Sequence, residues 1–274
     1  MTGKLSLTHD GVDMLDYSAH IRSNVARAAT AWQDFTTLDQ RTKEQFAATS
    51  LQSGTGYEKK GSGERESHDI KENFDITRAS LSHLAMTSHT NPIASHFISA
   101  AGELFDDLER LIAAEGERIE KKYAVTGFAK EAATSASSAF VRFLYYPPVP
   151  TGTVIGEPHV DHSGFTFHLY ESTDGCERLT LDTRKWQPMP VSTEQAALFA
   201  SMQTQLFSNG RVKGLCHRIL ANDTTARVGR SSIVCFTPLV NMPTYDRKTH
   251  GRLQEMKPGF NYAISTAQFR NYFK

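Results

Sequence analysis

Five short runs between residues 139 and 239 constrain this chain more than any other feature. They are "AFVRFLYYP" (139–147), "FTFHLYES" (165–172), "ERLTLDT" (177–183), "AALFASM" (196–202) and "SIVCFTPL" (232–239). Most are rich in β-branched and aromatic residues, and turn signals such as "TDG" (173–175) and "SNG" (208–210) separate several of them. That pattern reads as a series of short strands. The first half has a different period. In "FISAAGELFDDLERLIAAEGERIEKKY" (97–123), Phe97, Ala101, Leu104, Phe105, Leu108, Leu111 and Ile112 form one apolar stripe opposed by acidic residues, so a helix is predicted there. A second amphipathic helix is predicted over 13–35, with Met14, Ile21, Val25, Ala28, Ala29 and Trp32 at helical spacing. Helices followed by evenly spaced strands predict a mainly β fold with flanking helices, a sandwich or jelly roll.

One domain suffices for 274 residues. Residues 1–135 are expected to form a mostly helical support, 136–240 the jelly-roll core and 241–274 a tail. Residues 50–69 are polar and rich in Gly and Ser, hence a loop. The stretch 50–72 could be a lid, and "STAQFRNYFK" at 265–274 a helix that closes a pocket. Lys+Arg and Asp+Glu balance at 30 each, so charge points to neither nucleic acid nor a membrane surface. Three cysteines (Cys176, Cys216, Cys235) without a C-x-x-C pair argue against a disulfide scaffold and fit a reducing cytosol. With no membrane-span or signal-like segment in view, the expectation is a cytoplasmic protein, a monomer acting on a small molecule.

The chemistry concentrates in "GEPHVDHSGFTFHLY" (156–170). A lone H-x-D is a weak signal. On a strand, however, residues i and i+2 share a side, so His159 and Asp161 converge. His217 in "GLCHRILAN", 56 residues beyond Asp161, is the best third ligand. Two histidines and one carboxylate are the facial triad of non-haem Fe(II) oxygenases, which leaves open positions that a structural zinc site would not. Downstream, Arg230 and Ser232 are again i and i+2. A planar guanidinium beside a hydroxyl makes a carboxylate anchor. His162 is out of phase with His159, and His168 is expected to belong to the scaffold.

These pieces, in this order, resemble the isopenicillin N synthase-like family of 2-oxoglutarate/Fe(II)-dependent oxygenases. "HDGV" (9–12), "WQDFTTLDQRTKEQFA" (32–47), "TGYEKK" (55–60), "KENFDI" (71–76), "VRFLYYPPVP" (141–150), "PHVDHSGFTFHL" (158–169), "LFSNGRVKGLCHRILAN" (206–222) and "RSSIVCFTP" (230–238) carry the resemblance across most of the chain. It implies a double-stranded β-helix core, Fe(II) on His159, Asp161 and His217, and 2-oxoglutarate and O2 as co-substrates. Arg230 and Ser232 would hold the far carboxylate of 2-oxoglutarate, assisted by Tyr146. Phe236 would touch substrate; Tyr145, Phe165 and His162 are further candidate contacts, and Arg142 or His162 could recognise a substrate carboxylate.

The implied reaction is oxidation of a C–H bond of a small molecule, by hydroxylation, desaturation or cyclisation, with release of succinate and CO2, in specialised metabolism. Two alternatives stay open: a 2-oxoglutarate-independent Fe(II) oxidase of the isopenicillin N synthase type, and a catalytically silent jelly-roll binding protein. The chain departs from the family pattern in several places. It begins almost at "HDGV", Leu144 replaces an Asn, and Ser201-Met202 replaces a Gly-Asp. Arg230 lies 13 residues after His217; Arg227 stands at the family's usual distance, but Gly229, not Ser, follows it at +2. Arg230 is therefore the preferred anchor.

Overall fold

The computed structural model describes residues 5–47, 55–61, 70–180, 182–189, 191 and 194–241. Eleven strands are found among them: β1 (Val12–Asp16), β2 (Gly56–Lys60), β3 (Lys71–Thr77), β4 (Phe140–Tyr146), β5 (Val154–Val160), β6 (Phe165–Glu171), β7 (Cys176–Leu179), β8 (Trp186–Pro188), β9 (Gln195–Ala200), β10 (Cys216–Leu220) and β11 (Arg230–Thr237). Seven helices accompany them: α1 (Ala19–Thr36), α2 (Gln40–Glu44), α3 (Leu81–Ser88), α4 (Pro92–Tyr123), α5 (Phe128–Ser135), α6 (Met202–Phe207) and α7 (Asp223–Val228). The strands form a larger sheet in the order β1-β9-β6-β11-β4-β3-β2 and a smaller one in the order β5-β10-β7-β8, with antiparallel pairing throughout. The mainly β, helix-braced jelly roll expected from the sequence is the fold observed.

Strand parity separates two cores. On β11, Ile233 and Cys235 join β4 residues Val141 and Phe143 against the helices. There Trp32 of α1 is fully buried, packed on Phe35, Phe97 and Phe143, and its indole N–H donates to the Leu144 carbonyl at 3.0 Å. On the opposite face, Leu144 and Tyr146 of β4 and Phe199 of β9 meet Ile155, Cys176 and Ile219 of the smaller sheet. The cavity described below opens within this second layer.

The helix ends have local causes. Ser18 caps α1 by accepting from Ile21 N, and Asn91 caps α4 by accepting from Ala94 N, with Pro92 in the first helical position. The helix predicted over 13–35 is thus shorter than expected. Met14 lies on β1, which pairs with β9 at the sheet edge, and Ser18 starts the helix only afterwards. The polar stretch expected to be a loop contributes β2, which pairs with β3. The proposed lid falls largely at 48–54 and 62–69, outside the described residues, and so does the proposed C-terminal helix. Among the described residues, no helix is long and apolar enough to cross a membrane.

Candidate metal centre

The stretch "GEPHVDHSGFTFHLY" is two strands, not one. β5 ends at Val160 in the smaller sheet, and β6 starts at Phe165 in the larger. The chain crosses between the sheets at 161–164. Gly164 permits this: a Cβ there would stand 2.6 Å from the Thr237 carbonyl oxygen, to which the Gly164 N–H donates at 2.9 Å. Asp161 therefore sits at the crossing, just beyond His159. β10 lies beside β5 with His217 directly opposite His159, so directly paired side chains project to the same side. The two imidazole centroids are 4.4 Å apart.

The three ligand atoms lie within 4.8 Å of one another. His159 Nε2 is 3.4 Å and His217 Nε2 4.0 Å from Asp161 Oδ1. Each ring's other nitrogen faces a backbone carbonyl two residues earlier: His159 Nδ1 bonds to Glu157 O at 2.6 Å, and His217 Nδ1 to Leu215 O at 3.3 Å. A carbonyl only accepts, so both rings carry their proton on Nδ1 and present a bare Nε2 to the centre. Thr166 donates its hydroxyl to Asp161 Oδ2 at 2.7 Å, which leaves Oδ1 for the centre.

Electrostatics sharpen the arrangement. Burial works against the Asp161 carboxylate, but His217, His159 and the Thr166 hydroxyl outweigh it and hold its pKa well below the usual range. Burial, then the neighbouring His159, pushes His217 down to about 4, so its ring is neutral at pH 7. Burial also pulls His159 down, but the hydrogen bond and charge of Asp161 more than reverse this and raise it. An ionised carboxylate and two oriented imidazoles fit a divalent transition metal, and none of the donors is the thiolate that would mark a structural zinc site.

The triad opens into a cavity of about 300 Å³. Exposure grades its lining. Lys71, Glu157, His159, Arg142 and Phe236 are partly or well exposed and form its outer part, whereas Arg230, Ser232, His168 and Cys176 are buried. Arg142 is held bidentately by Asp75 at 2.7 and 2.6 Å and lies over the Phe236 ring. Arg230 and Ser232 share the cavity face of β11, opposite Tyr146 and Leu144 of β4. Arg227 is exposed on α7 and does not line the cavity.

The substrate contacts expected from the sequence divide. Phe236 lines the cavity. Tyr145 and Phe165 belong to the opposite parity and pack toward the helices, Phe165 against Phe128. His162, in the crossing, is exposed and is not part of the lining. In turn, His168, expected to be scaffold, lines the cavity, as do Thr166, Cys176 and Phe199. Glu171 was not anticipated at all: it is buried and accepts a hydrogen bond from Arg230 Nη2.

Two antiparallel sheets with two histidines and an aspartate at one end define a double-stranded β-helix protein with a candidate metal centre. Residues 137–238 match the model of the 2OG-Fe(II) oxygenase superfamily. The fold is similar to that of a full-length Neurospora crassa protein in complex with alpha-KG and 5-formyluracil (TM-score 0.72, 16% identity, 97% of this chain and 86% of that one). It is also similar to the dioxygenase for auxin oxidation 1 of Arabidopsis thaliana in its 2-oxoglutarate complex (TM-score 0.66, 15% identity, 86% and 85%). In sequence, 93 residues are 32% identical to feruloyl CoA ortho-hydroxylase 2 of Arabidopsis thaliana, a match over 33% of this chain and 26% of that protein. The chain thus matches about a quarter of the length of that curated relative.

Proposed function

We propose that this chain is an Fe(II)- and 2-oxoglutarate-dependent dioxygenase that oxidises a C–H bond of a small molecule and releases succinate and CO2. The observation that carries the reading is the convergence of His159, Asp161 and His217, each with its second polar atom tied down, on a cavity whose buried part holds Arg230 and Ser232. The superfamily match over the same segment supports it. We place the protein in the cytoplasm as a monomer, in specialised metabolism, with no nucleic-acid or membrane partner.

His159, Asp161 and His217 would hold the iron, which supplies the activation of O2 once 2-oxoglutarate is bound. Everything else is the work of this chain's residues. The Glu157 and Leu215 carbonyls fix the histidine tautomers, and Thr166 fixes the carboxylate. Arg230 and Ser232 would take the far carboxylate of the 2-oxo acid, with Tyr146 beside them. Phe199, Leu144 and Val234 make part of the cavity lining apolar. The more exposed Phe236 and Arg142 offer an aromatic face and a cation to the primary substrate. At about 300 Å³ the cavity is at the small end of ligand sites, which suits a compact substrate beside a five-carbon acid.

The test is anaerobic reconstitution with Fe(II), then oxygen and 2-oxoglutarate, scored by succinate and CO2. Wild-type protein should release both, and a metabolite panel should stimulate release for the true substrate. His159→Ala with undiminished turnover would remove the triad from the mechanism. Substrate oxidation without succinate would instead identify the 2-oxoglutarate-independent oxidase.

A further inference from the structure

Arg230, the expected anchor for a co-substrate carboxylate, already carries a carboxylate of this chain. Glu171 lies directly opposite Ser232 in the β6–β11 register, and its side chain is 1% exposed. Its Oε2 accepts from Arg230 Nη2, and its Oε1 accepts from the Val191 N–H at 3.0 Å. Both oxygens accept; burial raises the Glu171 pKa, and the Arg230 charge and the Val191 N–H work against that rise to favour the carboxylate. Arg230 Nε donates to the Thr173 carbonyl at 3.3 Å. Next to this pair stands His168, whose Nε2 is 3.9 Å from Glu171 Oε2. That nitrogen is buried and has no hydrogen-bond partner, and of the unpartnered buried side-chain atoms among the described residues it alone belongs to a residue that lines the triad cavity. An unsatisfied buried polar atom aimed at a cavity marks where a ligand reaches. Burial, then the nearby Arg230 charge, holds His168 neutral. Arg230 is therefore already paired with a carboxylate of this chain before any ligand enters.

We propose that Glu171 is a specificity-determining residue, which by neutralising Arg230 lets the cavity accept 2-oxo acids with uncharged tails alongside 2-oxoglutarate. The inference rests on the 2-oxo-acid reading of the cavity given above. A buried guanidinium with no internal partner would demand a carboxylate, because a neutral tail would leave the charge uncompensated in a poorly solvated site. With Glu171 in place that demand is already met. A second carboxylate arriving at Arg230 meets the repulsion of Glu171 together with the attraction of the guanidinium, while a neutral tail meets neither. Glu171 touches Arg230 and acts through it.

The experiment is anaerobic calorimetry on the full-length protein loaded with Mn(II), titrated with 2-oxoglutarate and with 2-oxopentanoate, which has the same chain length and no far carboxylate. In the wild type the two dissociation constants should agree within about tenfold. In Glu171→Gln, 2-oxoglutarate should gain over 2-oxopentanoate by about tenfold or more, a change of ratio that partial misfolding cannot produce. Wild-type protein that binds 2-oxoglutarate yet rejects 2-oxopentanoate overturns the role of Glu171 and leaves the co-substrate reading intact. Binding of neither acid overturns both. An unchanged ratio in a folded Glu171→Gln also overturns it; should that variant fail to fold, the wild-type ratio decides.

Discussion

His159 and His217 face each other across one pair of strands, yet their pKa values move in opposite directions. His217 is buried and pushed down to about 4, while His159, nearly half exposed, is raised by Asp161. An unfolded chain protonates His217 near pH 6.5, but the folded protein keeps it neutral until about 4. The folded state therefore loses stability as the pH falls through that window, by up to about 3 kcal/mol for this residue. His159 opposes this: its raised pKa adds stability below its unfolded value, which is lost as the pH rises through the folded one. Metal-free protein unfolded in urea at pH 7 and pH 5 should show a clear drop in stability at pH 5. In His217→Gln that drop should shrink. An equal drop in both would mean that the buried ring is not its source. At this scale the sequence was most informative about the triad: H-x-D placed His159 and Asp161 side by side, although the strand ends at Val160 and Asp161 lies in the crossing just beyond it. It was least informative about His168, which looks like any strand histidine until the neighbouring strands show that it faces a cavity.

Parity also explains what the sequence hid at the level of elements. On β11 the alternation is regular, so Arg230, Ser232, Val234 and Phe236 share the cavity face. On β6 it is broken: Ser232 pairs with Glu171 and Ile233 with Tyr170, but Val234 pairs with His168. This bulge absorbs Leu169 and carries Glu171 to the same face as His168, three residues earlier. Simple alternation from His168 would have sent Glu171 to the helical side. A bulge of this kind has no dependable single-sequence signal, since no Gly or Pro marks it. The entry into β11 is, by contrast, written in a glycine. Gly229 has φ +79°, and a Cβ there would lie 2.5 Å from the Tyr146 carbonyl oxygen and 2.8 Å from the Tyr145 ring. Gly229→Ala should destabilise by about 1–3 kcal/mol through backbone strain and this clash, and should weaken 2-oxo-acid binding by shifting Arg230. Gly210 also has a positive φ, +73°, but has nothing within 4 Å. Gly210→Ala should cost less and leave binding unchanged. Thermal melts and calorimetry of the two variants make the comparison, and equal effects would contradict it.

The larger sheet is buried on both faces, and the division of labour between those faces sets what the whole molecule does. The helical face holds the aromatic cluster around Trp32, far richer in packed rings than the cavity face. Trp32→Ala should cost about 3–5 kcal/mol from lost burial and the cavity left behind. The opposite face must stay open at one end to admit ligands, so its stability is completed only when the triad is filled. Metal binding should therefore register as global stabilisation. At Mn(II) about 100 times its dissociation constant, mass action adds about 2.7 kcal/mol. For a chain of this size each kcal/mol raises the melting temperature by roughly 2–4 °C, so a rise of about 5–10 °C is expected. Asp161→Ala should abolish the rise, because it removes the only anionic ligand of the triad. Trp32→Ala should melt lower at the start yet keep the full metal-induced increment, because the sheet lies between it and the centre. Loss of that increment in Trp32→Ala would show that the helical layer also sets the geometry of the centre, through the Leu144 carbonyl that the indole holds and the cavity-lining Leu144 side chain on the other face of the same strand.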